Sequence, residues 1–238
     1  MRMHLKSGGR FFALVVFGCL AISGYPAAGQ QNAPPPPSPS QDLSPRELAA
    51  LEKLRARPAW LFPAVDCPAD VIPMYDKDSG YVAGRCEGDV AGCAERCEAN
   101  DGGDCYALAL VLEGRETETQ SDEFVFEALY LRACRLGLAT GCTNRAAGLT
   151  YREPVTAVSD ACAARTFAET CKRDDAWGCT MYGFHLMSGR GVPKDLDRAA
   201  RMFRRACGYD ETFVACTKAK RLLKQIEDAG ELQPESPE

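Results

Sequence analysis

Four stretches decide the fold: CEANDGGDC at 97–105, CRLGLATGC at 134–142, CKRDDAWGC at 171–179 and CGYDETFVAC at 207–216. Each opens and closes on a cysteine. The opening residues, Cys97, Cys134, Cys171 and Cys207, stand 37, 37 and 36 residues apart. The closing ones, Cys105, Cys142, Cys179 and Cys216, stand 37 apart throughout. A fixed period of this size marks a repeat array, in which each unit buries its apolar face against the next.

Other positions keep the same step. Seven residues after each closing cysteine stand Leu112, Leu149, Leu186 and Leu223. Two helical turns separate cysteine and leucine, so both share one helix face. Four residues before three of the opening cysteines stand Tyr130, Phe167 and Phe203, one turn back on the preceding helix. Ala109, Ala146 and Gly183, four after a closing cysteine, are small enough for close helix approach. The pattern predicts an all-α solenoid of helix-turn-helix repeats of 36–37 residues, with a helix A after each closing cysteine and a helix B before the next opening one. Each cysteine pair then flanks a B-to-A turn. Gly137 in Arg135-Leu136-Gly137, and the glycines of Asp101-Gly102-Gly103, read as helix stops. A disulfide across such a turn closes a loop of about nine residues, worth about 2–3 kcal/mol in the chain-entropy treatment.

Thirteen cysteines in 238 residues set the compartment. Cys19 lies in an export segment, which leaves twelve, and an even dozen in an exported chain indicates disulfides in an oxidising environment. A zinc site lacks ligands, since the only histidines are His4 and His185 and no pair of CxxC motifs exists. The spacing of Cys86 and Cys93 resembles a shortened staple, leaving Cys67 and Cys162 for each other; sequence alone does not settle that connectivity. A net charge of −5 gives no basic face for nucleic acid.

Residues 1–29 read as a signal peptide: Arg2, Lys6 and Arg10, then an apolar run from Phe11 to Gly24, then Ala27-Ala28-Gly29 as a cleavage site. The competing reading takes Val16-Phe17-Gly18-Cys19 as a lipobox with Cys19 lipidated, which would anchor the protein to a membrane. Both export the domain, to the periplasm or beyond. Residues 30–43 form a proline-rich linker, and Ser44-Pro45-Arg46-Glu47 opens a helix with an N-cap serine, an N1 proline and an N3 glutamate. Leu48, Leu51 and Leu54 stripe that helix and Pro58 ends it. Pro63, Pro68 and Pro73 mark the rest of 44–85 as irregular. The repeats run over 86–226, and 227–238 reads as a disordered acidic tail.

One unit carries a family resemblance: Tyr182-Gly183, Leu186, Gly189-Arg190-Gly191-Val192, Asp195, Ala199 and Ala206-Cys207. It resembles the Sel1-like repeats, relatives of tetratricopeptide repeats, with their GxGV turn, an aspartate opening helix B and alanines near its end. It departs from them in having Tyr182 for leucine, Leu186 for tyrosine and Met202 for tryptophan. The repeats at 105–134 and 142–171 carry Gly114-Arg115-Glu116 and Tyr151-Arg152-Glu153 where the GxGV turn would stand. The staples make residues 86–226 similar to the cysteine-rich bacterial members of the Hcp type, some of which are described as penicillin-binding proteins or slow β-lactamases. The resemblance therefore implies a peptidoglycan-related or β-lactam ligand as one option.

The residues themselves offer no catalytic set. No SxxK, SDN or KTG element is present, and a Ser–His–Asp triad would have to recruit His185, the one histidine beyond the signal segment. Asp174-Asp175 and Asp210-Glu211 read as charge at helix N-termini. No cofactor is expected. Stacked helix pairs curve and present a concave face suited to a protein or peptide, and we place Asn144, Thr180 and His185 on it as candidate binding residues. The expected function is an envelope binding module, with a weak β-lactamase as the alternative.

Overall fold

A computed structural model describes residues 44–73, 84–114, 120–151, 156–208 and 210–230, with no side chains assigned at 120–124. The expectations for the signal peptide, Cys19, the linker, Arg115-Glu116, Arg152-Glu153 and the tail beyond 230 lie outside these residues. Ten helices follow in order: α1 (Pro45–Arg55), α2 (Pro68–Val71), α3 (Val90–Glu98), α4 (Gly102–Gly114), α5 (Gln120–Arg135), α6 (Ala139–Tyr151), α7 (Ala157–Lys172), α8 (Ala176–Ser188), α9 (Leu196–Arg205) and α10 (Val214–Asp228). From α3 onward each helix packs against the next, and there is no strand among the described residues. No helix among them is long and apolar enough to cross a membrane.

The staples sit where the period puts them. Cys97–Cys105, Cys134–Cys142, Cys171–Cys179 and Cys207–Cys216 bridge α3 to α4, α5 to α6, α7 to α8 and α9 to α10. Cys86–Cys93 ties the turn before α3 to α3 itself, and Cys67–Cys162 joins residues 95 apart in sequence. Six disulfides point to an oxidising location outside the cytoplasm.

Three of the turns share one construction. Three residues past the opening cysteine the backbone turns left-handed, at Asn100 (φ 73°), Gly137 (φ 98°) and Asp174 (φ 59°). The next N–H reaches five residues back: Asp101 to Arg96 O, Leu138 to Ala133 O and Asp175 to Thr170 O. Side chains of Asp101 and Asp175 then cap α4 and α8. The glycine expectation therefore holds at Gly137 and is corrected at 101–103. Asn100 takes the left-handed position, which asparagine tolerates, while Gly102 begins α4 because a Cβ there would stand 3.2 Å from Leu136 Cβ. Asp174 likewise makes the turn, and Asp175 alone caps.

The aromatic and small positions interlock. Tyr130, Phe167 and Phe203 are fully buried, and a Cβ on Gly183 would lie 2.5 Å from the Phe203 ring. Leu112 and Leu186 are buried, but Leu149 and Leu223 are only half so. In α10 the buried residues are Ala215, Cys216, Ala219, Leu222 and Ile226, because among the described residues this helix packs chiefly on α8 and α9. A one-sided helix needs no small residue four after the cysteine, and Lys220 stands there exposed. In α1 the capping box at Ser44 and Glu47 forms as read, but Leu48 stays half exposed, so the stripe narrows to Leu51 and Leu54. Helix α10 runs to Asp228, two residues into the expected tail.

The 189–192 turn is the tightest. Gly189 ends α8 left-handed, and Gly191, also left-handed, rests on the first turn of α7. A Cβ on Gly191 would sit 2.6 Å from Ala161 N and overlap the Asp160 carbonyl. Backbone on both sides leaves nothing to yield. Gly191→Ala is expected to cost roughly 3 kcal/mol, combining a left-handed penalty with overpacking; a urea-unfolding difference below about 1 kcal/mol would contradict this packing.

Candidate functional site

The stack takes two of the three proposed binding residues inside. Thr180 is fully buried, donating to Ala176 O at 3.0 Å and Ala215 O at 3.1 Å, so it ties α8 to α10. His185 is fully buried as well, its ring centroid 5.3 Å from that of Phe167 and 6.1 Å from that of Phe184. Neither lies on an open face, because each faces a neighbouring helix of the array. Asn144 is half buried and donates to the Tyr106 hydroxyl at 2.9 Å, linking α6 to α4.

His185 is held by a carbonyl. Its Nδ1 lies 2.8 Å from Arg190 O, which can only accept, so Nδ1 carries the proton and Nε2, which has no partner, is bare. Arg190 itself pairs with Asp160 at 2.7 Å. Burial pushes the ring below its ordinary pKa, against the opposing pull of the Arg190 carbonyl. The unfolded ring titrates near 6.5. Above that pH both states are neutral; below it the unfolded state takes a proton first, and stability falls until the folded pKa is reached. We expect the wild type to lose unfolding free energy from about pH 6.5 downward relative to His185→Phe. Parallel pH profiles for the two proteins would refute the buried neutral ring.

What the helices do present is a channel across α5, α6 and α7, and a segment of the chain fills it. After α1, residues 58–73 cross these helices as a strap whose only regular element is the single turn α2. Five arginines hold it. Arg132 of α5 donates to Trp60 O at 2.7 Å and stacks over the Trp60 ring, while also binding the Cys97 and Glu98 carbonyls. Arg135 pairs with Asp66 and lies over Phe62. Arg145 of α6 donates to Ala64 O at 2.6 Å, Arg165 of α7 grips both oxygens of Asp70 at 2.8 and 3.1 Å, and Arg173 donates to Pro73 O at 2.9 Å. Ala69 N donates to Thr166 Oγ1. Beneath, Ala64, Val71 and Ile72 pack on Leu131, Cys134 and Cys142. The Cys67–Cys162 disulfide crosses the same contact. Between Trp60, Phe62 and α5 a cleft of about 330 Å³ stays open.

The logic is that of peptide recognition. Guanidinium groups reading carbonyls hold a backbone through atoms that every residue carries, and two reading carboxylates select acidic side chains four apart. Pro58, Pro63, Pro68 and Pro73 recur every five residues; each lacks an N–H that would otherwise need a partner, and Pro68 opens the single turn α2. Three prolines marked the segment as irregular, but nothing local marked the arginines, which are scattered over 42 positions and converge only when helices stack. The Cys67–Cys162 link was the one available clue that the strap returns to α7. Compared with protein-family models and with curated proteins, the chain has no match.

Proposed function

We propose that this protein is an exported binding module of the Sel1-like repeat type, working in the oxidising cell envelope on protein or peptide segments. The observation that carries the reading is the strap: the array holds a 16-residue, mostly irregular segment by its backbone carbonyls and its two carboxylates. The helix-pair period, the staples and the Gly189-Arg190-Gly191-Val192 turn into the Asp195-capped α9 support the repeat type. A triad on His185 finds no support, since the ring is sealed between two phenylalanines.

The test is a display library of 16-residue peptides, screened against the oxidised protein and against a Cys67→Ser/Cys162→Ser variant. Recovered peptides are expected to bind one-to-one with Kd of ~1–100 µM, the range of short extended ligands, by calorimetry. Absence of any ligand tighter than ~1 mM in both forms overturns the reading. Turnover of a chromogenic β-lactam, abolished by one point substitution, would replace it with the hydrolase reading.

A further inference from the structure

We propose that the arginine-lined channel on α5, α6 and α7 is a site for a proline-containing acidic segment of a partner protein that takes up the turns of the strap, closed in cis by residues 58–73 and opened by reduction of Cys67–Cys162. The inference rests on the binding-module reading and specifies its site, its ligand chemistry and its control.

Occupancy by the strap defines the ligand. Three of the arginine contacts, from Arg132, Arg145 and Arg173, go to backbone carbonyls and do not depend on side-chain identity. The other two, Arg135 to Asp66 and Arg165 to Asp70, ask for carboxylates four residues apart. The strap's outward side chains, Phe62, Val65, Asp66 and Asp70, are exposed. Apart from the two acids and Phe62, which lies under Arg135, they make no demand on the array, so a foreign segment with that acidic spacing satisfies the same donors.

The disulfide is suited to act as a latch. Cys86–Cys93, Cys97–Cys105, Cys134–Cys142 and Cys171–Cys179 are buried at both sulfur-bearing residues, whereas Cys67 is partly exposed. Cys207 is partly exposed too, but its bond spans nine residues and frees no segment. Breaking Cys67–Cys162 removes the covalent hold on the strap, while α1 stays docked on α3 and α5. A dithiol reductase of the envelope is the co-reactant. Its thiolate attacks one sulfur, the other leaves as thiolate, and the second thiol resolves the mixed disulfide. Two electrons and two protons pass to Cys67 and Cys162, and the reductase is left as disulfide. The Arg165 guanidinium, 3.5 Å from Cys67 Sγ, favours the Cys67 thiolate once it forms. Because the freed strap stays tethered, it competes at an effective concentration of about millimolar, and a partner must exceed that.

The probe is a fluorescent synthetic peptide copying residues 58–73 with serine for Cys67, read by anisotropy against the full-length exported chain. Oxidised wild type is expected to take it up weakly, and Cys67→Ser/Cys162→Ser at least about tenfold more tightly, as the tether alone now competes. A probe with asparagine at both aspartate positions should lose about tenfold, as should the serine-pair protein carrying Arg135→Ala/Arg165→Ala. If the serine pair compromises folding by circular dichroism, the wild type with only this bond reduced and alkylated takes its place. Equal uptake of the aspartate and asparagine probes overturns the ligand assignment. Full-strength uptake by the oxidised wild type overturns the latch while leaving the binding-module reading intact. No uptake by the opened protein, with strap amide exchange unchanged, overturns the site.

Discussion

Reduction of all six disulfides is expected to unfold the protein at room temperature. Five of the bonds close separations of seven to nine residues, each worth about 2.5 kcal/mol in the chain-entropy treatment. Cys67–Cys162 closes a separation of 95, worth about 4.7 kcal/mol by the same treatment. Together they contribute about 17 kcal/mol, more than the roughly 5–15 kcal/mol by which domains of ordinary stability are folded. The core offers little in reserve. Many of its buried positions are alanine, among them Ala109, Ala146, Ala163, Ala199, Ala200, Ala206, Ala215 and Ala219, and alanine buries little apolar area. In dithiothreitol the helical far-UV signal should collapse, or melting should fall by more than ~20 °C if residual structure survives. A melting temperature within ~5 °C of the oxidised value, with all twelve thiols shown free by mass spectrometry, would show that packing alone holds the stack.

The array itself was legible because its determinants are periodic and local. Cysteine, leucine and aromatic positions repeat at the step of the helix pair, so the order of α3 to α10 and the partner of each staple cysteine follow from spacing. The small positions followed too, since Gly183 faces Phe203 as its step implies. Exposure was less legible. Thr180 and His185 sit on helix A beside structural residues, and a helix flanked on two sides buries a stripe too wide for one apolar period to mark. Buried polar residues of this kind are satisfied by carbonyls of neighbouring turns, such as Ala215 O for Thr180 and Arg190 O for His185, and no pattern in the chain announces such acceptors.

The channel was illegible for a different reason. Its donors come from three helices and its acceptors from a segment without periodicity, so the contacts exist only at the tertiary level. Arg145 lies 81 residues from its acceptor Ala64, and Arg173 lies 100 from Pro73. Read singly, each arginine is a charge on a helix. Brought together, they turn an irregular connector into a ligand held by its own fold.

Glu127→Ala is expected to destabilise the protein by about 3–5 kcal/mol, the range for removing one partner of a buried ion pair. Glu127 of α5 and Arg145 of α6 are both buried, 4% and 2% exposed, with Oε2 and Nη1 3.1 Å apart. Room for the carboxylate exists because α6 carries Gly148 there, where a Cβ would stand 2.5 Å from Oε2 and 2.6 Å from Cδ. The same guanidinium reaches the strap through Ala64 O, so the pair joins two functions: it orients Arg145 and thereby anchors the connector. Truncating Glu127 leaves a buried cation without its carboxylate, which is costlier than losing both charges. Replacing both, as Glu127→Leu/Arg145→Met, is therefore expected to cost less than Glu127→Ala alone, since a paired apolar substitution removes the desolvation penalty together with the attraction. That double variant should still loosen the strap, seen as faster proteolysis between Phe62 and Asp66, because no donor remains for Ala64 O. Urea unfolding reads the first effect and limited proteolysis the second. A cost below about 1 kcal/mol for Glu127→Ala would mean the pair behaves as a solvated one; unchanged cleavage in the double variant would mean Arg145 does not hold the strap.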